Sequence, residues 1–255
     1  MKNIVIIGAC KEGKAYLGEV YDGAGWHVTF LDKDNRVVES LKQSGSYCVT
    51  VLRKERTEER VITGYEIYGT DEEHSCTQRI MEADVIALCL YPEDIETAFR
   101  YIGPCFRKRA AENPQQKLLI LSCTNKNHIM KENEEILLEE LPEQEQKKWY
   151  REAVAFRDVI VRRSGNARSN YDLCLTTKAL QSLLIQGPIN VDLSGVEWMQ
   201  VCDGIEFLKD IKLFVHNCPH AACAYSGYAR GYKTTQEAEK DPVIAELMAG
   251  CLAEA

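Results

Sequence analysis

The chain opens on an apolar run at residues 3–7, a turn bounded by Gly8 and Gly13, and a helical pattern over residues 14–21. Glycines at 23 and 25 interrupt that pattern, and residues 26–31 form a second apolar run that ends on Asp32. Run, helix and run within about thirty residues predict a βαβ unit. Residues 46–52 and 61–68 read as short extended pieces, and the charged stretch 53–60 between them as a surface connection. Apolar runs at 84–90 and 117–123 bracket a predicted helix from residue 93 to about residue 109. Regular alternation of strands and helices predicts an α/β fold with a parallel, doubly wound sheet.

Residues 131–148 are dense in glutamate, with Ile136, Leu137 and Leu141 at helical spacing. That pattern reads as a helix with a solvated face and not as an acidic tail. Further strands are expected at 154–161 and 172–176. From about residue 202 the pattern turns helical, and Phe207, Ile211, Phe214 and Val215 fall on one apolar stripe. The change of character places a domain boundary near residue 195.

Composition narrows the function classes. Across 255 residues, 45% are apolar and 27% charged, the balance of a water-soluble globular protein, and the net charge of −8 speaks against a nucleic-acid surface. No run is long enough to span a membrane and no cleavage-site pattern follows the first apolar run, so a cytoplasmic protein is expected. The eleven cysteines are odd in number, scattered and without a CxxC pair. Reduced thiols are the better reading. Cys218 and Cys223 flank His220, but that stretch offers too few ligands for a structural zinc site. No metal is expected.

Gly8-Ala9-Cys10-Lys11-Glu12-Gly13 stands where a GxGxxG dinucleotide fingerprint belongs, after a strand and opening a helix. Asp32 follows Gly13 by nineteen residues at the end of the second strand. An acid there accepts the ribose hydroxyls of NAD and repels the 2′-phosphate of NADP. Cys10 occupies the middle glycine position, where a side chain crowds the pyrophosphate. The ordinary alternative is a tight strand-to-helix turn with Asp32 as a turn or cap residue. Cys10 beside a phosphate turn also raises a redox-sensing role.

The second candidate lies at Lys212, Asn217 and His220, at offsets of zero, five and eight. At roughly 100° per residue these fall at about 0°, 140° and 80° around a helix, one wedge holding a base and two hydrogen-bond donors. Such a group can take a proton from a secondary alcohol or polarise a ketone. Pro219 perturbs that geometry. Taken singly, a solvated lysine, a helix-end asparagine and a satisfied histidine are the ordinary fates of these residues.

Lys212-x4-Asn217-x2-His220, running on through Ala221, Ala224, Tyr225, Gly227 and Tyr228, resembles the signature of the polyol-specific long-chain dehydrogenases, the mannitol dehydrogenase family. The first turn with Gly18, Asp32, Ser46-Tyr47-x-Val49, Cys123-x-Asn125, Gly231-Tyr232 and Asp241-Pro242 extend the likeness along the chain. The resemblance implies a Rossmann-type NAD-binding domain over residues 1–195 and the beginning of a helical substrate domain over 196–255. It implies Lys212 as general base, Asn217 and His220 on the reacting oxygen, and Gly8, Cys10, Gly13, Asp32 and Asn125 at the cofactor. The implied reaction is metal-free, NAD-dependent interconversion of a polyol, or a polyol phosphate such as mannitol 1-phosphate, with the ketose. Three positions depart from the family pattern: Cys10 for glycine, Thr124 for glutamate, and Val161 before Arg162-Arg163 in place of aspartate. Family members also continue through several more helices beyond the point that matches Ala255. A nucleotide- or sugar-binding relative with impaired catalysis is the competing expectation. Arg53, Lys54, Arg107, Lys108, Arg162 and Arg163 are candidate anion partners, with surface solvation the expected fate of most.

Overall fold

The central strands are apolar at nearly every position because both of their faces are covered, the hallmark of a parallel sheet wrapped by helices. The computed structural model describes residues 1–71, 73–163, 165–179 and 182–255. Its strands are β1 (Asn3–Ile7), β2 (His27–Asp32), β3 (Ser46–Leu52), β4 (Thr57–Thr63), β5 (Glu66–Gly69), β6 (Val85–Leu88), β7 (Leu118–Ser122), β8 (Val154–Ile160), β9 (Gly165–Asn166), β10 (Cys174–Lys178), β11 (Leu183–Gln186) and β12 (Met199–Cys202). Among the described residues they form an eight-stranded sheet in the order β12-β11-β8-β7-β6-β1-β2-β5 and a four-stranded sheet in the order β4-β3-β10-β9. From β5 to β8 the large sheet is parallel throughout, with the strand order of a Rossmann fold. β11 pairs antiparallel to β8 and brings β12 with it.

The chain divides into two compact units, Met1–Asp203 and Gly204–Ala255. The helices of the first are α1 (Glu19–Gly23), α2 (Asn35–Ser44), α3 (Thr77–Glu82), α4 (Ile95–Glu112), α5 (Met130–Glu139) and α6 (Gln144–Ala153), with a π-helix at Gly13–Gly18 leading into α1. Alternate strand residues feed two separate cores. Ile4, Ile6, Phe30 and Leu121 pack with Tyr16, Tyr21 and the small-sheet residues Tyr47, Val49 and Leu175 on one face. Val5, Ile7, Leu88 and Ile120 pack with Phe99, Phe106 and Trp149 on the other. Burying an aliphatic or aromatic side chain this fully stabilises the fold by about 1.5–3 kcal/mol each.

Three sequence expectations are corrected here. Residues 61–68 are not one extended piece: β4 ends where Thr63 pairs with Ser46, and β5 joins the other sheet beside β2. The stretch 53–60 is not merely a connection, since Thr57 onward is β4, whose exposed face carries the charges. The acidic stretch 131–148 is two helices, broken around Pro142, with Leu137 and Leu141 fully buried. β11 and β12 have no clear signal in the sequence, where Ser, Gly, Pro, Asp and Asn between residues 182 and 199 dilute the apolar pattern.

Arg163 is the largest surprise. It is not solvated: its side chain is 1% exposed and lies 2.6 Å from the Glu19 carboxylate, itself 3% exposed. Its Nε donates to Thr177 Oγ1 at 2.9 Å, and its guanidinium lies 4.8 Å from the Tyr16 ring centre. Arg53 also departs from solvation, paired with Glu58 at 2.9 Å. The Glu19–Arg163 pair fastens α1, which follows the first turn, to the small sheet through Thr177 on β10.

The second unit is helical: α7 (Ile205–Ile211), a π-helix at Lys212–Asn217, α8 (Cys218–Ala229), α9 (Thr235–Ala238) and α10 (Pro242–Glu254). Its core is small, with Cys223, Ala238 and Ile244 fully buried. Polar pins supplement it. Asp241 accepts the Val243 N–H to cap α10, while also receiving Arg230 at 2.6 Å and the Tyr232 hydroxyl at 3.1 Å. That assigns a structural task to the Gly231-Tyr232 and Asp241-Pro242 segments. Among the described residues no helix is long and apolar enough to cross a membrane.

Removing one member of a buried ion pair strands the other, at a cost of about 3–5 kcal/mol. Arg163→Ala is therefore expected to lower unfolding stability in urea by about that amount. The Glu19→Met/Arg163→Met double variant, which removes both charges together, is expected to recover most of the loss. A single variant as stable as the parent would show that the pair does not fasten the sheet.

Candidate functional site

The first turn is built by close backbone approach. Gly8 has φ +98°, and a Cβ there would lie 2.3 Å from the Cys89 carbonyl oxygen. A Cβ on Gly13 would lie 2.3 Å from the Gly8 carbonyl oxygen. No side chain fits at either position, so β1, the start of the helix and the end of β6 meet only through glycine. The helix begins at Lys11, and the Lys14 N–H closes its first turn on Cys10 O at 3.0 Å. First-turn N–H groups have no intrahelical acceptor and favour an anion.

Asp32 ends β2 beside this turn. Its Oδ2 accepts the Ala9 N–H at 2.8 Å and its Oδ1 the Asp34 N–H at 2.9 Å. The carboxylate thus latches the turn to the next strand, and each oxygen retains a second lone-pair direction for a hydroxyl donor. Cys10 is half-buried, its Sγ 3.7 Å from the Cys89 carbonyl and 3.6 Å from Glu12 Oε2. Asn125 lies in the loop after β7 and is exposed, next to Thr124, which is 6% exposed. The structure thus brings Gly8, Cys10, Gly13 and Asp32 together at the carboxyl edge of the sheet, where open α/β folds bind ligands.

Lys14 escaped the sequence reading, because a lysine one residue past a glycine turn looks like an ordinary helix-surface residue. It is fully buried, and its Nζ donates to the carbonyls of Asn170 and, at 2.8 Å, Asp172. Burial holds its ammonium down to about 8 from an ordinary 10.5, against the opposing pull of Cys10, Asp32 and Asp172. The Tyr47 hydroxyl donates to Lys14 O at 3.2 Å. Through Lys14 the glycine turn and the segment leading into β10 are held together.

In the second unit, Lys212 opens the π-helix, Asn217 closes it, and His220 stands in the first turn of α8. The Cys218 N–H reaches the Leu213 carbonyl, the i→i+5 bond of a π turn. An offset of five spans one such turn, so Lys212 and Asn217 stand closer in direction than the 140° of an α-helix suggests. Pro219 stands second in α8, directly after the π turn and inside the continuous helical run, where it cannot donate a backbone bond. Lys212 is half-buried and Asn217 and His220 are exposed. The apolar stripe read from the sequence is exposed, with Phe207 68% and Phe214 57% exposed.

Comparison with known proteins follows the same lines. The family described as the mannitol dehydrogenase Rossmann domain matches residues 2–177. The mannitol-1-phosphate 5-dehydrogenase of Shouchella clausii (strain KSM-K16) is 26% identical over 252 residues, covering 98% of this chain and 66% of that protein. That of Oceanobacillus iheyensis (strain DSM 14371 / CIP 107618 / JCM 11309 / KCTC 3954 / HTE831) is 28% identical over 261 residues, covering 100% and 66%. The chain thus spans just under two thirds of the length of these relatives. Among solved structures, D-sorbitol dehydrogenase in substrate-free form superposes with a TM-score of 0.77 at 15% identity, over 99% of this chain and 64% of that one. A PanE/ApbA family ketopantoate reductase from Ralstonia eutropha JMP134 gives 0.60 at 17% identity, over 99% and 73%. The structural likenesses establish the fold.

Two measurements check the turn. Gly13→Ala forces a carbon against the Gly8 carbonyl and is expected to cost about 1–3 kcal/mol of unfolding stability; a neutral effect would mean the turn is looser than described. Lys14 supplies a pH signature. Between about pH 8 and 10.5 the folded lysine is neutral while the unfolded one still binds a proton, so stability rises with pH. At about 1.4 kcal/mol per pH unit, the gain is on the order of 3 kcal/mol. Subtracting the Lys14→Met profile from the parent profile removes the tyrosine and cysteine contributions. A flat difference would overturn the assignment.

Proposed function

The chain belongs to the mannitol dehydrogenase family, and from that premise we propose that it is an NAD-dependent oxidoreductase interconverting a polyol or polyol phosphate with its ketose. Mannitol 1-phosphate and fructose 6-phosphate are the pair suggested by the relatives' activity. The observation that carries this reading is the continuous helical run holding Lys212, Asn217 and His220, with the first two set one π turn apart.

The glycine turn fits a dinucleotide through its backbone: Gly8 and Gly13 allow the approach and the helix start offers free N–H groups. Gly8 and Gly13 shape the turn, Asp32 would take the ribose hydroxyls with its remaining lone pairs and so select NAD over NADP, and Asn125 would line the cofactor. The bound dinucleotide supplies or accepts the hydride. The protein's own residues handle the proton. Uncharged Lys212 takes it from the alcohol oxygen, and charged Lys212 returns it to the ketone oxygen in reduction. Asn217 and His220 donate hydrogen bonds to that oxygen and favour the charge it gains as the carbon–hydrogen bond breaks. No step requires a metal ion. Eleven scattered cysteines, odd in number and without a CxxC pair, fit a reducing, cytoplasmic setting.

A second reading, a relative that binds nucleotide without turning over, draws on two features: the Cys10 sulfur where a fingerprint glycine would stand, and the engagement of both Asp32 oxygens by backbone amides. The two readings separate in one assay. Active protein oxidises NADH in the presence of fructose 6-phosphate, and Lys212→Ala is expected to lower kcat by about 100-fold or more, with NADH affinity unchanged. Normal turnover in that variant would sink the assignment of the base. Binding of NADH without turnover by the parent protein would select the second reading.

A further inference from the structure

The carboxyl edge of the sheet carries a feature that dehydrogenase chemistry does not use. Three cysteines far apart in sequence end up side by side on adjacent strand ends. Cys10 follows β1, Cys89 follows β6 and Cys123 follows β7. Parallel pairing fixes this: the Cys89 N–H donates to Ile7 O at 2.8 Å and the Cys123 N–H to Leu88 O at 3.0 Å. The Cys10 Sγ lies 3.7 Å from the Cys89 carbonyl oxygen, and Cys10 and Cys123 pack against the same core cluster that contains Cys89. Cys10 and Cys123 are half-buried, whereas Cys89 between them is 9% exposed. Among the described residues no group of His, Cys, Asp or Glu side chains is arranged to hold a metal ion, so the row of sulfurs is not a metal centre.

We propose that Cys10 and Cys89 form a reversible thiol–disulfide switch in the dinucleotide turn, closed by a hydroperoxide and opened by a dithiol. The proposal rests on the reading of that turn as the NAD site. Accessibility and position divide the roles. Cys10 is the reachable thiol and sits at the start of a helix, whose N–H groups favour a thiolate. The contact with Cys89 holds the Cys10 thiol below its ordinary range, while the same contact, that with Cys123 and burial push Cys89 well above it. The Cys10 thiolate attacks one oxygen of hydrogen peroxide. A sulfur–oxygen bond forms, the oxygen–oxygen bond breaks, and hydroxide leaves to take up a proton as water. The Cys89 sulfur, giving up its proton, then attacks the Cys10 sulfenic acid, forming the sulfur–sulfur bond and expelling the oxygen as a second water. Two thiols are oxidised by two electrons and one peroxide becomes two waters.

The consequence for binding follows from geometry. A disulfide needs the two sulfurs at about 2.05 Å, and closing it from a Cys10 Sγ that lies 3.7 Å from the Cys89 carbonyl draws the residue at the pyrophosphate position toward the end of β6. Gly8 and Gly13 leave no slack in that turn, since a single added carbon at either would strike backbone at 2.3 Å. Closing the bond therefore reshapes the turn and weakens the nucleotide. By linkage, bound nucleotide disfavours the bond, and by occupying the turn it also covers the Cys10 thiol.

The experiment uses the full chain. Reduced protein is titrated with NADH, treated with stoichiometric hydrogen peroxide, alkylated, and digested without reductant for mass spectrometry. A Cys10–Cys89 linked peptide is expected, with the NADH Kd raised at least tenfold, both reversed by dithiothreitol. Prior saturation with NADH is expected to slow the cross-link several-fold, and Cys89→Ser or Cys89→Ala to abolish it. Recovery of Cys10 and Cys89 as alkylated thiols would overturn the proposal. So would oxidation confined to Cys48–Cys174 or Cys218–Cys251, or a Cys10–Cys89 bond that leaves the Kd unchanged. If the reduced protein fails to bind NADH before any oxidant is added, the nucleotide reading itself falls and the switch falls with it.

Discussion

Everything at the carboxyl edge of the sheet depends on backbone meeting backbone at Gly8 and Gly13. With Cβ positions 2.3 Å from carbonyl oxygens, the turn has one conformation and one distance from β6. That crowding sets where the helix leaves β1. It sets Ala9 where Asp32 can receive it, and it brings the Cys10 sulfur against Cys89. Neither Asp32 nor Cys10 would have its present neighbours if the turn were one side chain wider. The chemistry proposed for this edge is a consequence of steric exclusion before it is a consequence of charge.

Such a tight turn needs support from outside, and the small sheet supplies it. Lys14 reaches two carbonyls of the segment before β10, Tyr47 on β3 returns a hydrogen bond to Lys14 O, and Glu19 meets Arg163 in a dry interior. Desolvating these charges costs several kcal/mol per ion, which only close partners offset. Each has them: Arg163 has Glu19, Thr177 and the Tyr16 ring, and Glu19 also has Arg60 at 3.2 Å. The arrangement contributes little net stability against an apolar alternative. What it contributes is register, because a charge with three partners tolerates only one placement of the elements that carry them.

The parts of the fold legible in the sequence are those whose cause is local. β1, β6 and β7 are apolar runs because both faces are buried, and β3 alternates because one face is. The glycine turn and Asp32 are legible because spacing alone defines them. What was not legible is contact between distant segments. Nothing near Arg163 announces Glu19, 144 residues away, and the solvated fate expected of it failed for that reason. Likewise Cys10 and Cys89 are 79 residues apart and meet only through the parallel register of β1 with β6. The hairpin of β3 and β4 was blurred because its charges sit on an exposed face, where a strand resembles a loop.

Both segments singled out for chemistry, the glycine turn and the Lys212 run, contain a π-helix: Gly13–Gly18 and Lys212–Asn217. Such turns have poorer backbone geometry than α-helix and persist where something else requires them; they recur at functional sites. In the first, the requirement is visible: the helix must pass the Gly8 carbonyl and still deliver Lys14 and Glu19 into the interior. In the second, the wider turn changes what an offset of five residues means. An α-helix would separate Lys212 and Asn217 by about 140°, whereas one π turn returns the chain toward its starting direction. On the reading proposed for this segment, the backbone irregularity narrows the angle between Lys212 and Asn217 within the wedge their spacing defines.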